Sequence, residues 1–86
     1  MFRIEISTQA KRFLKKSNKE LQERVLKKVA LLKSHPVLHD SKKIVDANKT
    51  FRIRIGDYRI LYTIRWNHKV VLIATIDKRS RSYNRT

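Results

Sequence analysis

Arg52, Arg54 and Arg59 stand close together in the run Phe51-Arg52-Ile53-Arg54-Ile55-Gly56-Asp57-Tyr58-Arg59-Ile60-Leu61-Tyr62, and a second basic cluster follows in Lys78-Arg79-Ser80-Arg81-Ser82-Tyr83. Side chains alternate faces along a strand, so Arg52 and Arg54 share the face opposite Phe51, Ile53 and Ile55. Neighbouring guanidiniums repel each other, and folding does not require such a pair. An anionic partner accounts for it, phosphate first, because the planar fork of arginine matches two phosphate oxygens. The competing reading is a solvated sheet face whose charges only prevent edge pairing. Arg59 alone would be an exposed strand start; its place in the longer run sets it with the pair. Tyr58, Ile60 and Tyr62 share one strand face and read as packing residues.

The elements that must position these residues follow from hydrophobic period. Phe2, Ile4 and Ile6 alternate with polar residues and predict a first strand. From Thr8 the period changes: Ala10, Phe13 and Leu14 fit one face of a short helix whose other face carries Lys11, Arg12, Lys15 and Lys16. Ser17 and Glu20 have capping-box spacing and predict a second helix from Asn18 to about Lys33, with Leu21, Val25, Val29 and Leu32 as its buried stripe. Pro36 ends it at about Ser34. Ile44 and Val45 are candidates for a brief strand. Three further strands are expected over residues 50–55, 58–65 and 69–76, separated by turns at Gly56-Asp57 and Trp66-Asn67-His68. The expected fold class is α+β, in the order β-α-α-β-β-β, with an N-terminal strand, a helical hairpin and an antiparallel meander. The helices pack on one sheet face, and the open face carries the arginines.

The whole chain restricts the partners. Its 86 residues are read as a single domain, 1–86, burying roughly 60 to 65 per cent of the unfolded surface. A net charge of +15, from 22 Lys plus Arg against 7 Asp plus Glu, attracts polyanions, nucleic acid before anionic membrane. No apolar run is long enough to span a bilayer, no secretory signal follows Met1, and there is no cysteine, so a cytoplasmic location and no membrane partner are expected. His35, His39 and Asp40 would suit a metal on a helix, but Pro36 breaks that geometry, so neither a metal nor another cofactor is expected.

In order along the chain, the alternating basic strand, Gly56-Asp57-Tyr58-Arg59-Ile60-Leu61-Tyr62, a hydrophobic strand and the closing Lys78-Arg79-x-x-x-Tyr83 resemble the RelE/ParE toxin superfamily. Within it they are most similar to the RelE-like, archaeal-type, ribosome-dependent mRNA interferases. The resemblance implies an endoribonuclease that enters the ribosomal A site and cuts mRNA by attack of a ribose 2′-hydroxyl on the adjacent phosphate, without a metal. It also implies a RelB-like antitoxin, a monomeric free toxin and a higher-order complex with the antitoxin. Carried over by residue, Arg52 and Arg54 match the alternating basic pair and Arg59 the arginine that clamps the scissile phosphate. Arg79 matches the closing arginine and Tyr83 the tyrosine that stacks on or orients the message. Arg81 and Lys78 are accessory RNA contacts. Such cations suit a five-coordinate phosphate, where one lost donor typically costs about 2.7 to 4 kcal/mol.

Two departures bear on the chemistry. Many relatives place lysine in the alternating pair, whereas Arg52 and Arg54 stay protonated and cannot act as bases. Lys78 stands where some relatives place histidine. Geometry alone, Tyr83 or the substrate itself taking the proton, and binding without cutting all stay open as routes. A ParE-type gyrase poison and a non-catalytic ribosome- or RNA-binding protein of the same fold are the alternatives.

Overall fold

The computed structural model describes residues 1–44 and 49–78; Val45, Arg79, Arg81 and Tyr83 lie outside the described residues. The chain runs β1 (Arg3–Ile6), α1 (Thr8–Lys15), α2 (Lys19–Ser34), β2 (Lys42–Lys43), β3 (Thr50–Ile55), β4 (Tyr58–Arg65), a 3-10 turn (Trp66–His68) and β5 (Val70–Lys78). The strands form one sheet in the order β1-β5-β4-β3-β2. β3, β4 and β5 are an antiparallel meander, β2 adds antiparallel to β3, and β1 lies parallel to β5 with Ile4 opposite Val71. The expected β-α-α-β-β-β order is therefore observed, with a two-residue edge strand added. Among the described residues that edge strand is Lys42–Lys43, just before Ile44, while Val45 of the expected brief strand lies outside the described residues; β5 runs to Lys78.

Leu21, Val25, Val29 and Leu32 of α2 are buried with Ala10 of α1 against Phe51, Ile53, Ile55, Ile60, Tyr62, Ile64, Val71, Ile73 and Ile76. This matches the alternation read from the strands and the helical stripe. Each large apolar side chain so buried contributes about 1.5 to 3 kcal/mol. Tyr62 is wholly buried, and its hydroxyl donates to the Pro36 carbonyl at 2.8 Å. Burial pushes the Tyr62 phenol up from its ordinary pKa, against the opposing effect of a Ser41 hydrogen bond.

The start of α2 differs from the capping-box expectation by one residue. Asn18, in an extended conformation, is the N-cap, and its Oδ1 accepts from the Leu21 amide at 2.8 Å. Ser17 instead closes α1: its hydroxyl donates to the Phe13 carbonyl and its amide to Leu14. α2 ends at Ser34, with His35 out of helical angles ahead of Pro36. No helix spans His35 and His39, so they do not share a helical face.

β5 carries an irregularity that the hydrophobic pattern encodes. Val71 and Ile73 are buried, but so is Ile76, an odd step that strict alternation forbids. The register with β4 shifts there: Leu61 faces Thr75 while Tyr62 faces Ile73, leaving Ala74 as the extra residue of a β-bulge. β1 ends beside this point, and α1 supplies the missing bonds. The Ser7 hydroxyl donates to Ala74 O at 2.6 Å, while the Gln9 amide donates to Ile76 O and accepts from Ile76 N, both at 3.1 Å. The Gln9 side chain thus stands in for a neighbouring strand.

Candidate nucleic-acid interface

Burial of Ile53, Ile55, Ile60 and Tyr62 against the helices turns Arg52, Arg54, Arg59 and Leu61 to the opposite, open face of the sheet. Strand register arranges them in rows. In one row Arg54 faces Arg59 across β3–β4, and Arg59 faces Asp77 across β4–β5. In the next, Lys42 faces Arg52, Arg52 faces Leu61, and Leu61 faces Thr75. Like charges directly opposite are destabilising on a sheet. Asp77 offsets part of that repulsion: its carboxylate accepts from Arg59 Nε at 3.3 Å and from Arg59 Nη2 at 3.4 Å. The guanidinium is thereby set side-on and held in plane, since a carboxylate takes two N–H groups of the fork together.

At the β2 edge, Asp40, Lys42, Arg52 and Arg54 line a cleft of about 200 Å³. Asp40 also accepts from Lys28 Nζ at 3.1 Å, tying the approach to β2 back to α2. Desolvation pushes its carboxyl up, but the Lys28 hydrogen bond and charge outweigh this and hold it below the usual value. Among the described residues no three His, Cys, Asp or Glu side chains are grouped as metal ligands would be.

The structure therefore brings together Arg52, Arg54 and Arg59 of the residues singled out by sequence. Lys78 is placed elsewhere: opposite Tyr58, it lines a groove with Gln9, Phe13, Lys16 and Ser17, away from the arginine rows. Arg79, Arg81 and Tyr83 lie outside the described residues. Two members of the face escaped the sequence reading, Lys42 and Asp77. The Ile73-to-Ile76 step is the signal that would have revealed Asp77, because the bulge is what turns Asp77 onto the face of Arg59.

Residues 4–83 match the family model of the ParE toxins of type II toxin-antitoxin systems. A toxin named RelE1 from Methanocaldococcus jannaschii is 32% identical over 95% of this chain and 94% of its own length. The chain belongs to the RelE/ParE toxin superfamily. The solved structures agree with that membership. The chain is similar to the toxin fold in an archaeal RelE–RelB complex from Pyrococcus horikoshii, at 29% identity and a TM-score of 0.84, covering 93% of this chain and 97% of that one. The RelBE2 complex of Mycobacterium tuberculosis gives 30% identity and a TM-score of 0.76, covering 91% and 98%. E. coli RelBE, at 18% identity, shares the superfamily fold with a TM-score of 0.81 over 91% of this chain and 96% of that one.

Proposed function

We propose that this chain is the toxin of a type II toxin-antitoxin pair and acts as a ribosome-dependent endoribonuclease that cleaves mRNA in the A site. The observation that carries the reading is the pair of cationic rows on the sheet face opposite the helices, Lys42 with Arg52 and Arg54 with Arg59, the last oriented by Asp77. In the proposed reaction the ribose 2′-oxygen attacks the adjacent phosphorus and the bond from phosphorus to the 5′-oxygen breaks. The products are a 2′,3′-cyclic phosphate and a 5′-hydroxyl. Arg59 clamps the phosphate, Arg52 and Arg54 hold the flanking backbone, and fixed guanidiniums meet the charge that develops on the five-coordinate phosphorus. Arg79 is assigned to the leaving side and Tyr83 to stacking on the message, with Arg81 as an accessory RNA contact; Lys78, set in the groove beside α1, is not assigned to this face. The arginines stay protonated, so the 2′-proton passes to Tyr83, to the substrate or to solvent.

A RelB-like antitoxin is the proposed protein partner, supported by the RelE–RelB assemblies in which similar toxin folds are found. The free toxin is taken as a monomeric single domain acting in the cytoplasm, with a higher-order antitoxin complex. The match to the ParE model favours a second reading, a gyrase poison on the same scaffold. Primer extension on a message translated in vitro, with no metal added beyond what translation itself needs, separates the two. Cuts within codons that disappear in an Arg59→Ala, Arg79→Ala double variant support the nuclease; gyrase-linked DNA breaks without message cuts support the ParE reading. Ribosome binding without either activity would leave a non-catalytic RNA-binding protein.

A further inference from the structure

The open face does not stop at the arginine rows. Along β4 the same alternation continues through Thr63 to Arg65, about 20 Å from Arg59 at the usual rise per residue. There the chain turns, and Lys49, Thr63, Arg65, Trp66, Asn67 and His68 line a concavity of about 260 Å³. Three points of this lining are anchored. The Lys49 carbonyl accepts from Ile64 N at 2.8 Å, the Thr50 and Thr63 hydroxyls meet at 3.2 Å, and Lys69, in the left-handed region at φ 54, closes the turn onto Trp66 O. The Trp66 ring packs on Phe2 in a T-shaped contact at 5.7 Å, yet the residue stays 47% exposed. None of the described residues lining the concavity is acidic.

A half-exposed aromatic residue that lines one concavity together with a lysine and an arginine is an arrangement suited to unpaired bases. The ring stacks a base while the cations take the flanking phosphates. We propose that Trp66, with Lys49 and Arg65, forms a second RNA subsite, which stacks one base of a single strand running along the open face from the arginine rows. The subsite rests on the reading of that face as an RNA surface, but not on cleavage.

Trp66 is the single tryptophan of the chain, so its fluorescence reports on this subsite alone. The full-length protein is titrated at low salt with a short single-stranded RNA carrying 2′-O-methyl groups, which cannot be cut, and in parallel with inorganic polyphosphate. Saturable quenching by the RNA, and not by polyphosphate, is expected. For variants that lack the tryptophan, affinity is read from the anisotropy of a labelled copy of the same RNA, and Trp66→Leu should weaken binding by about five- to a hundredfold, the range of a lost base stack. Trp66→Phe, which keeps an aromatic face and the packing on Phe2, should restore most of it. Three results overturn the subsite: RNA that binds without quenching or does not bind, equal quenching by polyphosphate, or equal affinity losses in both variants. Quenching without message cuts in the translation assay would sink the nuclease reading alone, and cuts without quenching would sink the subsite alone.

Discussion

Asp77 is the residue that makes the arginine face more than a concentration of charge. An unrestrained arginine has many rotamers, and holding its fork toward a phosphate costs side-chain entropy at the moment of binding. Here the carboxylate takes Nε and Nη2 of Arg59 from the neighbouring strand, and Arg59 is the less exposed partner, at 20% against 39%. Orientation is thus fixed before the substrate arrives. Asp77→Asn keeps the size but weakens the grip and removes a negative charge from a surface meant for phosphate. We expect the cleavage rate on translated message to fall by about ten- to a hundredfold, as for a misplaced catalytic group, while message binding is not weakened. Single-turnover rates and binding measured on the same ribosomes separate the two quantities. Equal losses in both would reduce Asp77 to a structural neighbour.

At the scale of elements, the join between α1 and the end of β5 decides whether Asp77 reaches Arg59 at all. Gln9→Ala strips both backbone partners from Ile76, and unsatisfied groups of this kind cost about 1 to 3 kcal/mol. A urea midpoint lowered accordingly is expected, and an unchanged midpoint would show that water replaces the Gln9 amide without loss. The Lys28–Asp40 bridge holds the other side of the face, where β2 begins. Because the Asp40 pKa lies below the ordinary 3.8 in the folded chain, the stability it contributes is present above that value and is lost as pH falls through the lower folded one. The pair is partly exposed and contributes at most about 1 kcal/mol. Wild type should therefore exceed Asp40→Asn in urea stability at neutral pH, with the gap closing as pH falls below the ordinary carboxylate value of 3.8; a constant gap would remove the ion pair from the explanation. The same elements show what sequence could and could not disclose. The α2 stripe and strands β3 and β4 were legible to the residue, because each buries one face and any slip in register would expose it. The α2 cap was missed by one position, since Ser17 and Asn18 both suit caps and only the close of α1 decides between them. Arg52 and Arg54 were legible from alternation, and Arg59 from its place in the longer motif. Asp77 was not, because an uninterrupted period of two puts it on the wrong face, and Lys42 was not, because a two-residue edge strand has no period to read.

For the whole molecule, a net charge of +15 says that a polyanion will bind but not where. Lys11, Lys15, Lys27 and Lys28 make the helical side basic as well, and screened surface charge alone would draw RNA to either side. What distinguishes the sheet face is that Lys42, Arg52, Arg54 and Arg59 are fixed by strand register at spacings set by the sheet, so one strand of RNA can engage them together. Counterion release turns this into a measurable slope. A short single-stranded RNA neutralised by these four cations should lose affinity with a log–log salt slope of about −2 to −3, a loss of about fifteen- to sixtyfold between 50 and 200 mM salt. Replacing Arg52 and Arg54 by Gln should make that slope shallower by about 1.4, whereas replacing Lys11 and Lys15 should leave it unchanged. Fluorescence anisotropy of a labelled RNA at four or five salt concentrations, for about three proteins, provides the comparison. A flat dependence in the wild type would mean that phosphate contacts do not drive binding. Equal changes of slope in both double variants would mean that RNA is held by the diffuse field of the molecule, and the ordered rows on the sheet would then lose their claim to be the site.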